Sequence, residues 1–324
     1  MSLTSERAPL TLVPFSDAPR PALDLTIPPW PGEYVDTDGV RLHIRRTPGP
    51  AQDTAVFVHG LGGSSLNWTD LAAQLSGHAS GVAIDLPGAG YTEPPKGYVF
   101  DLNTHADVTA GFIRGMGRPV HLFGNSMGGA VSMIVAAKYP ELVRTLTLVS
   151  PAVPDLRPFP TRMSDPRIPF AMMPFVGPRF RRQLAALTPM QRAEQLVRLC
   201  FADPAMIPPH RMDETAAEFE ARAKIAWAGQ ALMMTTLALF RAWLVPPSRS
   251  LWRIVPQITA PTLVVWGAQD KLVTVRKAPR TARLLPQGRL LVLPRTGHVA
   301  QIERPETVAR AVLGMWEAVA AGRW

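Results

Sequence analysis

Gly124-Asn125-Ser126-Met127-Gly128 is the stretch on which the reading of this chain turns. Residues 120–123 (Val-His-Leu-Phe) precede it with the character of a short buried strand, and a helical run begins near Met127. A serine between a strand and a helix sits on a tight turn that exposes its hydroxyl. The flanking glycines relieve crowding where strand and helix approach each other. The spacing predicts Ser126 as a nucleophile on a strand-turn-helix elbow.

Working outward, the same alternation repeats on both sides. Residues 34–36 and 40–45 read as a hairpin turning at Asp38-Gly39. Residues 55–58, 81–85, 120–123 and 146–149 are short apolar strands, and 68–75, 102–116 and 127–138 have helical spacing. Near the C-terminus, strands at 262–266 and 290–293 alternate with helices at 278–285 and 307–320. Buried strands alternating with helices predict an α/β fold, a mostly parallel sheet covered on both faces.

Two stretches break the rhythm. Residues 1–30 are proline-rich and aperiodic, which predicts an extended or partly disordered arm. Residues 151–256 are rich in Pro, Arg and Met, look helical and contain no convincing strand, so they read as an insertion. The core is then expected over 31–150 and 257–324.

Bulk properties narrow the class. With 47% hydrophobic and 18% charged residues, 324 residues can build a substantial soluble core. No run reaches the roughly 18 apolar residues needed to span a bilayer. The first 20 residues are broken by Glu6, Arg7 and several prolines, unlike a secretory signal. One cysteine, Cys200, excludes an internal disulfide; together these predict a cytoplasmic protein. The net charge of +9 is scattered and accompanied by no nucleic-acid motif. It reads as solubilising charge, with a weak membrane-surface tendency as the second reading.

A serine hydroxyl needs a base, and the base needs an orienting acid. Of seven histidines, His43, His105 and His121 fall within regular elements, His78 in a loop before a strand, and His210 in the insertion. His59 belongs to a glycine loop. His298, in Thr296-Gly297-His298, directly follows the last strand, at the carboxyl end of the sheet where open α/β folds place their sites. The acid is read as Asp270, in Trp266-Gly267-Ala268-Gln269-Asp270, with Asp155 after the preceding strand as its competitor. The three candidates occur in the chain order serine, acid, histidine. An acyl transfer also needs donors for a developing oxyanion. His59-Gly60-Leu61-Gly62-Gly63 follows the strand at 55–58, which predicts the backbone N–H groups of Leu61 and Met127 as donors and His59 as a brace for the loop.

These pieces, with Asp85-Leu86-Pro87-Gly88 and Gly90, occur in order over residues 34–320, and on them the sequence resembles the α/β-hydrolase superfamily. The likeness is to its capped bacterial branch of esterases, lactonases and carbon–carbon bond hydrolases. The resemblance implies an eight-stranded sheet with a helical cap inserted after strand 6. Serine at 126 sets the chain apart from members with an aspartate nucleophile. The elbow through Gly129 also resembles that of hydrolases of vinylogous diketones, although that subgroup usually carries a proline where this chain has Gly62-Gly63-Ser64.

The expected activity is cleavage of an ester, thioester or lactone with an apolar moiety through an acyl-enzyme on Ser126. The alternatives are carbon–carbon cleavage by the same triad and, from outside catalysis, a binding protein on a hydrolase fold. No cofactor or metal is implied, and the partner is a small apolar ester-like molecule. Methionine adapts to varied apolar shapes. At least some of Met172, Met173, Met233 and Met234 are therefore expected to face the pocket over Ser126 from the cap, beside aromatic residues such as Phe170 or Trp227.

Overall fold

A computed structural model of the chain describes residues 10–155 and 175–324. Its centre is one sheet of eight strands: β1 (Gly32–Thr37), β2 (Val40–Thr47), β3 (Thr54–Val58), β4 (Ser80–Ile84), β5 (Val120–Asn125), β6 (Val143–Val149), β7 (Thr262–Gly267) and β8 (Gly288–Leu293). The order across the sheet is β1-β2-β4-β3-β5-β6-β7-β8. β1 and β2 form an antiparallel hairpin, β2 is antiparallel to β4, and every later pairing is parallel. The hairpin turns where expected: Asp38 and Gly39 both have positive φ, 44° and 78°.

Parallel neighbours need crossovers, and the helices supply them. α1 (Thr69–Leu75), α2 (Leu102–Gly115) and α3 (Met127–Lys138) connect the strands from β3 to β6. The strands face two cores by strict alternation. On β3, Val56 and Val58 pack into the larger core beneath α2 and α3, while Ala55 and Phe57 face Trp68 and Leu71 on the other side. On β7, Val264 and Trp266 face the first core, and Leu263 and Val265 the second. Burial on both faces is why these strands read as continuous apolar runs. β6 departs most from the expected bounds. It starts at Val143, earlier than expected, because buried Thr145 and exposed Arg144 hide its first turn in the sequence.

Between β6 and β7 the described residues hold helices and turns and no strand: α4 (Gly177–Ala185), α5 (Pro189–Cys200), α6 (Pro209–Ala223) and α7 (Ala228–Trp243). This is the helical cap inserted after the sixth strand. A capping box at Thr188 and Gln191 starts α5. α7 buries Ala231, Thr235 and Leu239, spaced four apart on one face. Trp243 Nε1 donates to Ala152 O at 3.0 Å, tying the end of α7 to the segment after β6. After β7 come α8 (Ala278–Leu284), β8, the single turn α9 (Ala300–Glu303) and α10 (Pro305–Ala320).

From residue 10 the N-terminal arm is extended and anchored. Leu290 N donates to Leu10 O (2.8 Å), Ser16 N to Arg310 O (3.0 Å) and Gln74 Nε2 to Pro21 O (2.9 Å). The arm ends against the cap, where His210 Nε2 lies 2.6 Å from Leu25 O.

The elbow glycines are set by close approach. A Cβ on Gly128 would lie 2.2 Å from Val58 O and 2.5 Å from His59 O, and one on Gly124 would lie 2.4 Å from Gly128 O. These obstacles are backbone atoms and cannot rotate away. Gly128→Ala is expected to cost about 3 kcal/mol, the upper part of the usual overpacking range. A urea midpoint equal to wild type would contradict this packing.

Candidate active site

Ser126 is the hinge between β5 and α3, with φ 52° and ψ −118°. A non-glycine residue in this region stores strain of roughly 1–3 kcal/mol, held by its surroundings. The restraints are backbone bonds on both sides: Ser126 N donates to Val149 O (3.0 Å), and Ala152 N donates to Ser126 O (2.8 Å). The neighbouring Asn125 is buried, and its side-chain amide donates to both Val149 O and His298 O, each at 3.1 Å. One amide thus links the elbow to the histidine loop.

His298 lies in the loop after β8, 3% exposed, with Nδ1 2.9 Å from Asp270 Oδ2. A carboxylate accepts, so Nδ1 carries the proton and Nε2 keeps its lone pair. Asp270 is itself fixed: its Oδ1 accepts from Leu272 N (2.8 Å) and Val273 N (2.9 Å). Asp155 Oδ2 accepts from Thr274 N at 3.1 Å, on the same loop after β7.

The cap takes part in seating this loop. His298 N donates to Cys200 O (2.6 Å), the last residue of α5. Glu303 spans the same seam, accepting from Gly297 N (2.7 Å) on one oxygen and Ala202 N (3.0 Å) on the other. Burial raises the pKa of Glu303, and these two donors pull the other way. Lys271, next to Asp270, donates to the carbonyls of Arg198 and Phe201 at the end of α5. A small apolar cluster of Val197, Cys200, Phe201 and Val299 fills the joint. The Cys200 thiol is pushed up to about 12 by burial, so it stays protonated. Sequence reading missed Glu303. Its only signal is a carboxylate five residues after the base, ahead of Pro305.

The glycine loop after β3 is braced by two buried residues. His59 receives Leu86 N on Nε2 (3.0 Å), so Nδ1 carries the proton and donates to Gly60 O (2.8 Å). Burial lowers its pKa, against the pull of Asp85, and both nitrogens are occupied. Asp85 is 0% exposed; Oδ1 accepts from Ser65 N (2.6 Å), and Oδ2 from Tyr91 N (3.0 Å) and His43 Nδ1 (2.7 Å). Burial opposes the charge on Asp85, but the His43 hydrogen bond and the Ser65 N–H outweigh it and hold its pKa below the ordinary value.

Asp85→Ala is expected to cost about 3–5 kcal/mol in urea melts by stranding these donors. Because the folded pKa of Asp85 is depressed, its contribution is present above the unfolded value and lost as pH falls through the folded one. Acid sensitivity of stability should therefore shrink in Asp85→Asn. A variant with wild-type acid dependence would count against this.

Leu61, on the glycine loop, and Met127, at the first turn of α3, both line one narrow cleft. Helix first-turn N–H groups lack partners within the helix, so the Met127 N–H is suited to an anionic oxygen. Leu86, Pro87 and Ala89 add apolar wall from the loop after β4, and the cap contributes Arg222, Leu232 and Thr235. Arg222 Nη1 donates to Gly62 O (2.9 Å) and lies 3.7 Å from Glu218 Oε1, so the arginine of a half-buried pair on α6 grips the glycine loop.

The expected methionine wall differs. Met233 and Met234 are 55% and 39% exposed and lie outside this lining, where Leu232 and Thr235 stand instead. The turn of α7 that buries Ala231 and Thr235 rotates both methionines away from its buried face. Trp227 precedes α7, half-buried and outside the lining. Phe170, Met172 and Met173 fall outside the described residues. Among the described residues no cluster of His, Cys, Asp and Glu could hold a metal ion, and no helix is long and apolar enough to cross a membrane.

The family model described as alpha/beta hydrolase fold matches residues 55–305, and the chain belongs to that family. It is similar to the uncharacterized hydrolase YugF of Bacillus subtilis (strain 168), 25% identical over 85% of this chain and 94% of that one. Lipase 1 of Psychrobacter immobilis is 26% identical over 80% of this chain and 75% of that protein. In fold it is similar to the 2-hydroxy-6-oxo-6-phenylhexa-2,4-dienoate hydrolase of Rhodococcus sp. strain RHA1, with TM-score 0.69 and 22% identity over 89% and 100% of the two chains.

Proposed function

We propose that the protein is a serine ester hydrolase that cleaves a small ester, thioester or lactone with an apolar part. The observation that carries this reading is the 2.9 Å bond from His298 Nδ1 to Asp270 Oδ2, in a loop that the Asn125 amide ties to a serine at φ 52°. Ser126 Oγ attacks the carbonyl carbon while His298 Nε2 takes its proton, and Asp270 holds the imidazole in the required tautomer. The Leu61 and Met127 N–H groups receive the oxyanion. The protonated His298 then gives its proton to the departing alcohol or thiol, leaving an acyl-ester on Ser126. A water deprotonated by His298 attacks that ester and releases the acid.

The likeness to Lipase 1 supports ester chemistry. Fluorophosphonate labelling located at Ser126, together with turnover of short and medium p-nitrophenyl esters, tests the reading. A protein that takes no label and turns over no ester would refute it. The elbow sequence Asn125-Ser126-Met127-Gly128-Gly129 favours one second reading, carbon–carbon cleavage of a vinylogous diketone by the same residues. Loss of the chromophore of such a diketone, faster than any ester is cleaved, would favour it.

A further inference from the structure

Most polar side chains in the cleft wall are already engaged. His59 uses both ring nitrogens, Thr235 Oγ1 donates to Ala231 O (2.9 Å), and Arg222 holds Gly62 O. His105 differs. It lines the cleft from the first turn of α2 and is 1% exposed. Its Nδ1 lies 2.9 Å from the Tyr98 hydroxyl. Its Nε2 is buried with no hydrogen-bond partner among the described residues. Buried polar nitrogens are rarely left unmatched, and one in the wall of the cleft that Leu61 and Met127 also line needs an explanation.

The protonation of the pair can be argued. Burial raises the pKa of the Tyr98 hydroxyl, so it keeps its proton, and burial lowers that of His105 to about 4, so the ring is neutral near pH 7. A phenol is the stronger donor and an imidazole nitrogen the stronger acceptor. Tyr98 therefore donates to Nδ1, and the ring proton sits on Nε2. The apolar wall then carries one fixed N–H donor.

Resting on the ester-hydrolase reading above, we propose that His105 Nε2–H is a substrate-recognition site for a second carbonyl oxygen. The preferred substrates are then oxo-acyl esters, not plain alkyl esters. Such a group pairs the donor, while the flanking Leu86, Pro87 and Leu232 cover its methylenes. A plain alkyl chain would leave the N–H desolvated and unpaired, which is how polar sites discriminate against analogues lacking the acceptor.

The test is a matched panel: p-nitrophenyl 4-oxopentanoate, 5-oxohexanoate and 6-oxoheptanoate, each against its parent alkyl ester. Wild type should prefer at least one oxo ester by about tenfold in kcat/KM, the size of one neutral hydrogen bond. That ratio should fall towards one in His105→Phe. It should also fall in Tyr98→Phe, which keeps the imidazole but frees its tautomer and is the gentler change if the first variant folds poorly. A purely structural role would slow both esters of a pair alike and leave the ratio unmoved. Wild type showing no oxo preference while cleaving the parent esters would overturn the inference alone, as would a preference surviving both substitutions. Failure of every ester, with no fluorophosphonate label at Ser126, would overturn the underlying reading and this inference with it.

Discussion

Ser126→Ala is expected to fold normally and to lose about six orders of magnitude in turnover, by analogy with serine-triad knockouts. That loss corresponds to about 8 kcal/mol of transition-state stabilisation. Folding should survive because the elbow is held by main-chain atoms: Ser126 N to Val149 O, Ala152 N to Ser126 O and Ala130 N to Ser126 O. Alanine meets the same φ of 52° as serine, so the strain is unchanged. An unfolding free energy within about 0.5 kcal/mol of wild type is therefore expected. Urea unfolding checks the first half, and steady-state hydrolysis of a p-nitrophenyl ester with mass spectrometry after fluorophosphonate treatment checks the second. Near wild-type turnover would mean that the nucleophile lies elsewhere.

Sequence alone exposed the parts of this site that depend on local chain geometry. The elbow, the glycine loop after β3 and the loops after β7 and β8 each follow a strand that is apolar on both faces, so strand and turn are visible together. The inner strands were legible for the same reason, and the largely exposed β1 was legible from the Asp38-Gly39 turn. The starts of β6 and β8 were missed, where Arg144 with Thr145 and Gly288 with Arg289 mask the pattern. What sequence could not expose is pairing across long separations. Asn125 reaches His298 O across 173 residues, and Glu303 reaches Ala202 N across 101. Neither carries a periodic or turn signal. The cap is a different case. Composition identified a Met-rich helical insertion, but which methionines face the cleft depends on the rotation of α7. Its buried stripe runs through Ala231, Thr235 and Leu239; Thr235 lines the cleft together with the exposed Leu232, and Met233 and Met234 do not.

The second large effect is expected at the acid and the base. His298→Ala should cost nearly as much as Ser126→Ala, and the double variant little more, because the two act in one proton transfer. Losses that multiply in full would separate them. Asp270→Asn tests orientation more finely. An amide in place of Oδ2 can offer its NH₂ to Nδ1, which moves the ring proton to Nε2 and removes the lone pair that must receive the serine proton. A loss of about 10⁴-fold in kcat is expected.

The comparison that decides the acid is Asp155→Asn. Asp155 accepts from Thr274 N, four residues beyond Asp270, and an asparagine oxygen can still accept there. The change should weaken one support of the acid loop by about 1 kcal/mol at most, or roughly fivefold. The two variants should therefore differ by about three orders of magnitude, with Asp270→Asn the worse. If Asp155→Asn proves the more damaging, the carboxylate that governs the His298 tautomer in turnover is Asp155. The 2.9 Å bond to Asp270 would then describe a resting arrangement only.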